Sequence, residues 1–370
     1  MPVGGGAGGT FTISALAGTG IAGFSGDGGP ATAARVNLFG SVSLAPGGVA
    51  VDSSGAIYLG DSVNHRIRKI TPAGIISTFA GTGIAGFSGD GGAAISARLN
   101  QPGGLAFDTQ GNLYIADSQN GSVRRVTPGG VISTVAGTGS PGLGTGDGGP
   151  ATSGRMFRVY AVAVDSQGNL YIPDTFNNKV RKVNSAGIIS TFAGNGNGGF
   201  SGDGSQATTA QLNEPYAVAA DASGNVYIVD AHNNRVRKVA ANGVITTVAG
   251  NGSLGFGGDG GPATSAPLPF STSGISGGLA VDAAGNLYIT DSNNNRIRKV
   301  TSGGIISTIA GTGSPGSNGD GGAALSATMD QPIGLALGPA GSLLFADTFN
   351  NRFRKLTPTG GAGTGSSVNK

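Results

Sequence analysis

The sequence predicts an all-β fold: a six-bladed β-propeller of four-stranded antiparallel blades, closed by the N-terminal strand joining the last blade. Three observations lead there. An aspartate ending a Tyr-Ile-Ala-Asp type strand recurs at Asp61, Asp117, Asp174, Asp230, Asp291 and Asp347, every 56 or 57 residues apart from one interval of 61. A Gly-Asp-Gly signal recurs in phase with it, at Asp27, Asp90, Asp147, Asp203, Asp259 and Asp320. One residue in five is Gly (73 of 370), which favours many tight turns and few long helices.

The elements follow in chain order. Residues 1–9 read as a flexible segment rich in Gly. Thr10-Phe-Thr-Ile-Ser-Ala-Leu-Ala17 alternates as a strand, and it precedes the first Gly-Asp-Gly loop, so it is surplus to the first unit. The second unit shows the pattern: Gly104-Leu-Ala-Phe107, Leu113-Tyr-Ile-Ala116, Ser122-Val-Arg-Arg-Val126 and Val131-Ile-Ser-Thr-Val-Ala136 are short apolar runs. Turns such as Asp108-Thr-Gln-Gly-Asn112 and Thr127-Pro-Gly-Gly130 separate them. The sixth unit stops after its third run, near Leu356, so the spare N-terminal strand completes it and closes the ring. The expected organisation is therefore a propeller over residues 10–358 and a flexible Gly/Ser tail over 359–370, leading to a possible neighbouring domain.

Composition narrows the function. The chain has no Cys, which excludes disulfides, thiolate metal sites and Cys nucleophiles. Its two histidines, His65 and His232, cannot build a three-His zinc site. A net charge of +3 is too small to announce nucleic acid, and no apolar run reaches membrane-spanning length. No leader is visible at the N-terminus, yet a Cys-free, Gly- and Thr-rich, Lys-poor repeat chain is expected to work at the cell surface, in the periplasm or secreted.

Asn225-Val-Tyr-Ile-Val-Asp230 followed by Asn233-Asn-Arg-Val-Arg-Lys238 resembles an NHL repeat, and Gly83-Ile-Ala-Gly-Phe-Ser-Gly-Asp-Gly-Gly92 resembles the stretches between blades of bacterial NHL proteins and of the teneurin NHL propeller. The resemblance covers residues 10–358 and implies a propeller that serves as a binding platform, a scaffold or, in some members, an enzyme. Propellers of similar shape include gluconolactonase-like hydrolases, which hold Ca²⁺ through a Glu, an Asn and an Asp. Here only Glu214 could stand for that Glu, and no entrance Asp matches.

Subtracting the repeats isolates the candidates. Of 18 Asp and one Glu, only Glu214 and Asp330 fall outside a recurring column. Of the bases, only Arg158 and the tail residue Lys370 do, and of the tyrosines only Tyr160 and Tyr216. Arg158 and Glu214 share one position before the innermost strand, and Tyr160 and Tyr216 share another two residues later. The turns carrying Phe176 and His232 lie at the same loop-rich end. Arg158, Tyr160, Phe176, Glu214, Tyr216 and His232 are therefore the candidate ligand-binding residues, the two tyrosines by stacking on a ligand. Glu214 and His232 are also the two residues that acid/base chemistry would have to use.

The strand-end Asp and the Arg seven residues later are expected to form buried pairs. His65 is expected to replace a turn Asn, and Asp330 to take an Asn-like capping role. The Gly-Asp-Gly loops offer one carboxylate each, so an Asx-turn explains them more simply than Ca²⁺, and no cofactor is expected. Function is read first as a non-catalytic extracellular module binding a glycan, peptide or protein, with no nucleic acid and no membrane insertion. A hydrolase or lyase using Glu214 at the channel mouth, and a structural spacer or surface-array component, are the alternatives.

Overall fold

The computed structural model describes residues 10–39, 47–270 and 277–360. The expected flexible segment 1–9 and most of the expected tail, 361–370, lie outside the described residues. Among the described residues the chain forms six four-stranded antiparallel sheets arranged as blades, with single 3-10 turns and no α-helix. Blade three is built from Ala163–Val164, Leu170–Asp174, Lys179–Val183 and Ile189–Ala193. Blade four is built from Pro215–Ala220, Val226–Asp230, Arg235–Val239 and Ile245–Ala249.

The ring closes as the sequence predicts. Phe11–Ala17 pairs antiparallel with Arg352–Pro358, with Phe11 opposite Pro358 and Ile13 opposite Leu356. This strand becomes the outermost of blade six, so the last blade reaches its full complement of four.

Each connecting loop straps itself to the blade it is about to enter. The Gly28 amide donates to the Ile76 carbonyl and the Ile76 amide returns a bond to Gly29, fixing the loop on the outer strand of blade one. The same exchange recurs at Gly91 and Gly92 with Ile132, and at Gly148 and Gly149 with Ile189.

The strand-end aspartate and its arginine are both fully buried in all six blades, as expected, with nitrogen–oxygen distances of 3.2–3.5 Å. The loop aspartates differ from expectation. They form no Asx-turn anchor; each carboxylate reaches the same buried arginine, at 2.6 Å for Asp27–Arg68 and 2.6 Å for Asp90–Arg124. In blade one the second Asp27 oxygen accepts from the Thr78 hydroxyl at 2.6 Å, and Thr191, Thr247 and Thr308 do likewise for Asp147, Asp203 and Asp259. A guanidinium has donors to spare after one carboxylate, and the strapped loop brings the second one within reach. Asx-turns do occur, but at Asp52, Asp108, Asp165, Asp221 and Asp282, where the carboxylate caps the first turn and also accepts from the Tyr six residues on.

At the axis the blades crowd together. A Cβ on Gly48 would lie 2.3 Å from the Gly103 carbonyl oxygen, and one on Gly278 would lie 2.2 Å from that of Ile333. Only glycine lets neighbouring inner strands approach this closely. Blades three and four carry Ala161 and Ala217 at that position.

Candidate functional site

The mouth of the propeller is built by the buried aspartates. The Asp174 carboxylate accepts from the Phe157 amide at 2.7 Å, from the Asn177 side chain and from Arg181. Asp230 does the same for Asn213 at 2.8 Å, Asn233 and Arg237. One carboxylate thus pins together the chain entering the innermost strand, the turn after the second strand and the third strand. Backbone bonds complete the arrangement: the Phe176 amide donates to the Phe157 carbonyl, and the His232 amide to that of Asn213. The entrance and the turn of each blade are therefore side by side.

Adjacent blades are then linked through the left-handed residue that ends each turn. Asn178, at φ 53°, accepts from the Glu214 amide at 2.9 Å. Asn234, Asn295 and Asn351 accept likewise from Phe270, Gln331 and Leu38. His65 fills this position in blade one, at φ 54°, and its Nδ1 accepts from the Gln101 amide at 3.1 Å. It replaces a turn Asn, as expected, and burial together with the Arg66 charge lowers its pKa, which keeps the accepting nitrogen unprotonated. In blade two the position is Gly121, which has no side chain to offer the amide of Arg158.

Gln101, Arg158, Glu214 and Gln331 all stand at positive φ, between 49° and 62°. The conformation belongs to the blade entrance, and Arg158 and Glu214 inherit it. It turns their side chains out of the strand alternation.

Arg158, Phe176, Glu214 and His232 lie at the entrances and turns of blades three and four. Glu214 Oε1 and His232 Nδ1 lie 3.5 Å apart, and both side chains keep about a third of their surface open to solvent. The Arg158 guanidinium sits over the Phe176 ring at 6.0 Å, and Phe176 meets Phe157 edge-on at 5.1 Å. No carboxylate comes within ion-pair distance of Arg158 among the described residues, so it forms no bridge to Glu214. Tyr160 and Tyr216 are deeper.

The tyrosines require a correction. The sequence has them presenting ring faces to a ligand, but their rings stack on each other, 4.6 Å between centroids and 26° from parallel. Only 1% of Tyr160 and 3% of Tyr216 remain exposed, because both rings pack with the apolar cluster containing Phe270 and Ile333. They form a floor, not an open platform. Among the described residues the buried Tyr160 hydroxyl has no hydrogen-bond partner. Burial pushes its pKa up to about 12, with Glu214 adding to the shift and Arg158 opposing it. Beneath runs an axial channel of about 310 Å³ lined by the inner strands, including Val49, Leu105, Val162, Val218 and Leu279.

The repeat arithmetic overlooked neutral members of the same rim. Gln119 donates to Gln101 at 2.8 Å, and Gln331 to Asn293 at 3.4 Å. Phe349 meets Phe39 at 4.1 Å. All but Phe39 share columns with Arg158, Glu214, Phe176 or His232, so position would have found them where charge counting could not. The Asp330 main chain occupies the Asn213 role, its amide bonding Asp347 at 2.7 Å and its carbonyl accepting from Phe349. No side-chain cap accompanies it, and burial raises its pKa.

Metal chemistry has little to work with. Among the described residues no group of three or more His, Asp or Glu is arranged to hold an ion, and the Gly-Asp-Gly carboxylates are engaged by arginine. Two carboxyl groups are needed for most glycoside chemistry, whereas the rim of blades three and four offers one.

Comparison with known proteins agrees with this architecture. The Teneurin NHL domain profile matches residues 84–143 and 195–257, and the NHL repeat profile matches 45–70 and 277–300. Mouse Teneurin-3 is 34% identical over 241 residues, covering 59% of this chain and 8% of that protein. The chain spans between 7% and 14% of the length of the curated teneurin relatives it matches. Among solved structures, a Bacteroides thetaiotaomicron protein of unknown function superposes with a TM-score of 0.67 at 18% identity, covering 94% of this chain and 76% of the other. An auxiliary nutrient binding protein from the same organism gives 0.63 at 15% identity, with 94% and 76% coverage. At such identities the likeness is one of fold alone.

Proposed function

The chain is an NHL-repeat six-bladed β-propeller, and from that premise we propose that it is a non-catalytic binding module whose loop-rich mouth takes a peptide or protein segment. One observation carries the reading. Arg158 and Glu214 place opposite charges at the same position of adjacent blades, and neither belongs to the ion clusters that hold the scaffold together. Around them stand Phe157 and Phe176, exposed aromatic surface of the kind that anchors binding interfaces. Paired opposite charges beside aromatic rings suit a chain segment bearing an acidic and a basic group better than an uncharged glycan. The fold is shared with a nutrient-binding protein, which is compatible with a binding role.

Thermal melting against a panel of charged peptides, glycans and lactones tests this. A ligand present at 100 times its Kd stabilises the native state by about 2.7 kcal/mol. The expected result is a peptide hit that disappears in both Arg158→Ala and Glu214→Ala. A hit unaffected by either substitution would place binding elsewhere, and no hit with unchanged melting would favour a structural spacer.

The Glu214–His232 contact supports a second reading, an acid/base enzyme at the mouth. It requires turnover that falls at least about a hundredfold in Glu214→Gln.

A further inference from the structure

On the opposite face, among the short turns, a cleft of about 340 Å³ opens between blades three and four. Tyr171 and Phe192, which line it, pack in one apolar cluster with Ala220 at the end of the next blade's innermost strand. Along the innermost strand, the residue paired with the first residue of the second strand is Val51, Phe107, Val164, Ala220, Val281 and Leu337 in blades one to six. Ala220 is the smallest of the six. In blades two to six these side chains pack with the column Tyr of the preceding blade, and Val51 of blade one packs with Leu344 of blade six.

Blade one shows what the position does when filled. Its Tyr58 meets Phe79 at 4.9 Å, nearly perpendicular, and Phe107 of blade two meets Tyr58 at 4.9 Å and 71°. Three rings close the gap. Blade three repeats the first two: Tyr171 meets Phe192 at 4.8 Å and 70°. The third ring is missing, because blade four supplies Ala220.

We infer that the cleft between blades three and four is a binding site for an aromatic ring, seated on Tyr171 and Phe192 as Phe107 is seated on Tyr58. The volume is ample, since a cavity of about 150 Å³ already admits benzene. The rim gives the ring's substituent polar company: Gln167, Ser223 and Lys182 line it. The Lys182 ammonium lies 5.6 Å from the Tyr171 ring and has no ion-pair partner among the described residues. A phenol-like ring, buried by its carbon face and wetted at its hydroxyl, fits this lining. Such rings come free in solution or on a tyrosine side chain. The site lies at the other end of the propeller from the mouth, so it stands whether or not the mouth binds a ligand.

The experiment uses p-cresol and the tripeptide N-acetyl-Gly-Tyr-Gly-amide, followed by NMR on the whole chain. In wild type, millimolar p-cresol is expected to shift resonances of Tyr171, Phe192 and Ser223. Ala220→Phe restores the third ring and is expected to weaken that response at least tenfold, with an unchanged or raised melting temperature. Should Ala220→Phe not fold, Ala220→Leu makes the same test with a smaller filler. Conversely, Phe107→Ala is expected to create a second p-cresol response at Tyr58. Response to the tripeptide as well as p-cresol would indicate a peptide ligand, and response to p-cresol alone a small one. No shift in wild type, or a shift that survives filling at position 220, overturns the assignment.

Discussion

Arg124 and Asp90 lie 34 residues apart in the chain and 2.6 Å apart in the fold, and the fully buried guanidinium also reaches Asp117 at 3.5 Å. One side chain therefore holds the incoming loop, the mouth and the blade interior at once. Removing it leaves Asp117 buried without its cation. Arg124→Met is expected to cost about 3–5 kcal/mol in chemical denaturation. Arg124→Lys is expected to recover little, because a single ammonium cannot replace a planar fork that spans two carboxylates. Asp90→Asn, at the half-exposed end of the cluster, is expected to cost no more than about 1 kcal/mol.

The two aspartate columns titrate in opposite senses. Burial pushes Asp61, Asp117, Asp230, Asp291 and Asp347 up to about 6, against the pull of backbone amides and arginine. Between about pH 4 and 6 the folded chain thus holds more protons than the unfolded one, and stability falls as pH rises through that window. For Asp27, Asp90 and Asp147, burial is outweighed by hydrogen bonds from threonine and by the arginine charge, so their pKa values drop. Their contribution is lost as pH falls below about 4. The melting temperature is expected to peak near about pH 4 and to decline toward about pH 6. A steady rise from about pH 4 to pH 8 would contradict this.

Glycines differ sharply in what they tolerate. Gly48→Ala would drive a methyl into the Gly103 carbonyl at the axis and is expected to cost about 1–3 kcal/mol or more. Gly55, at φ 84°, has nothing within 4 Å of where a methyl would stand, so Gly55→Ala is expected to lose only on its backbone conformation, about 1 kcal/mol. Denaturation midpoints of the two variants give the comparison. Equal losses would mean that the inner strands can move apart.

At the mouth, Glu214→Ala and His232→Ala are expected to change stability by less than about 1 kcal/mol each, because their contact is long and a third exposed. A loss of about 3 kcal/mol would make the pair part of the scaffold and withdraw it from ligand binding.

The Asp–Arg pairing within a blade was legible because both residues sit in one hairpin at a constant interval of seven. The loop aspartate's share in it was harder to read. Its interval to the arginine is 34 residues in most blades but 41 in blade one and 39 in blade five, where the entrance segments are longer. His65 was legible by column, and its ring nitrogen takes the place of an amide oxygen. Tyr160 and Tyr216 were found by elimination, but their burial was not, since it depends on Phe270 and Ile333 from other blades. The cleft beside Tyr171 and Phe192 was invisible for another reason: the missing third ring shows only when Ala220 is set against Phe107, which fills the same position against Tyr58.

The hydrogen-bonded seam between Phe11–Ala17 and Arg352–Pro358 has a mechanical consequence. Thr10 and Thr359 meet at its end, with the Thr359 amide 2.8 Å from the Thr10 carbonyl. Tension applied through these two points pulls across the seam, loading its bonds singly, as a zipper opens, instead of shearing them together. A ring with no free radial edge would then yield to a modest force at one known place, and blade six would be the first to come apart.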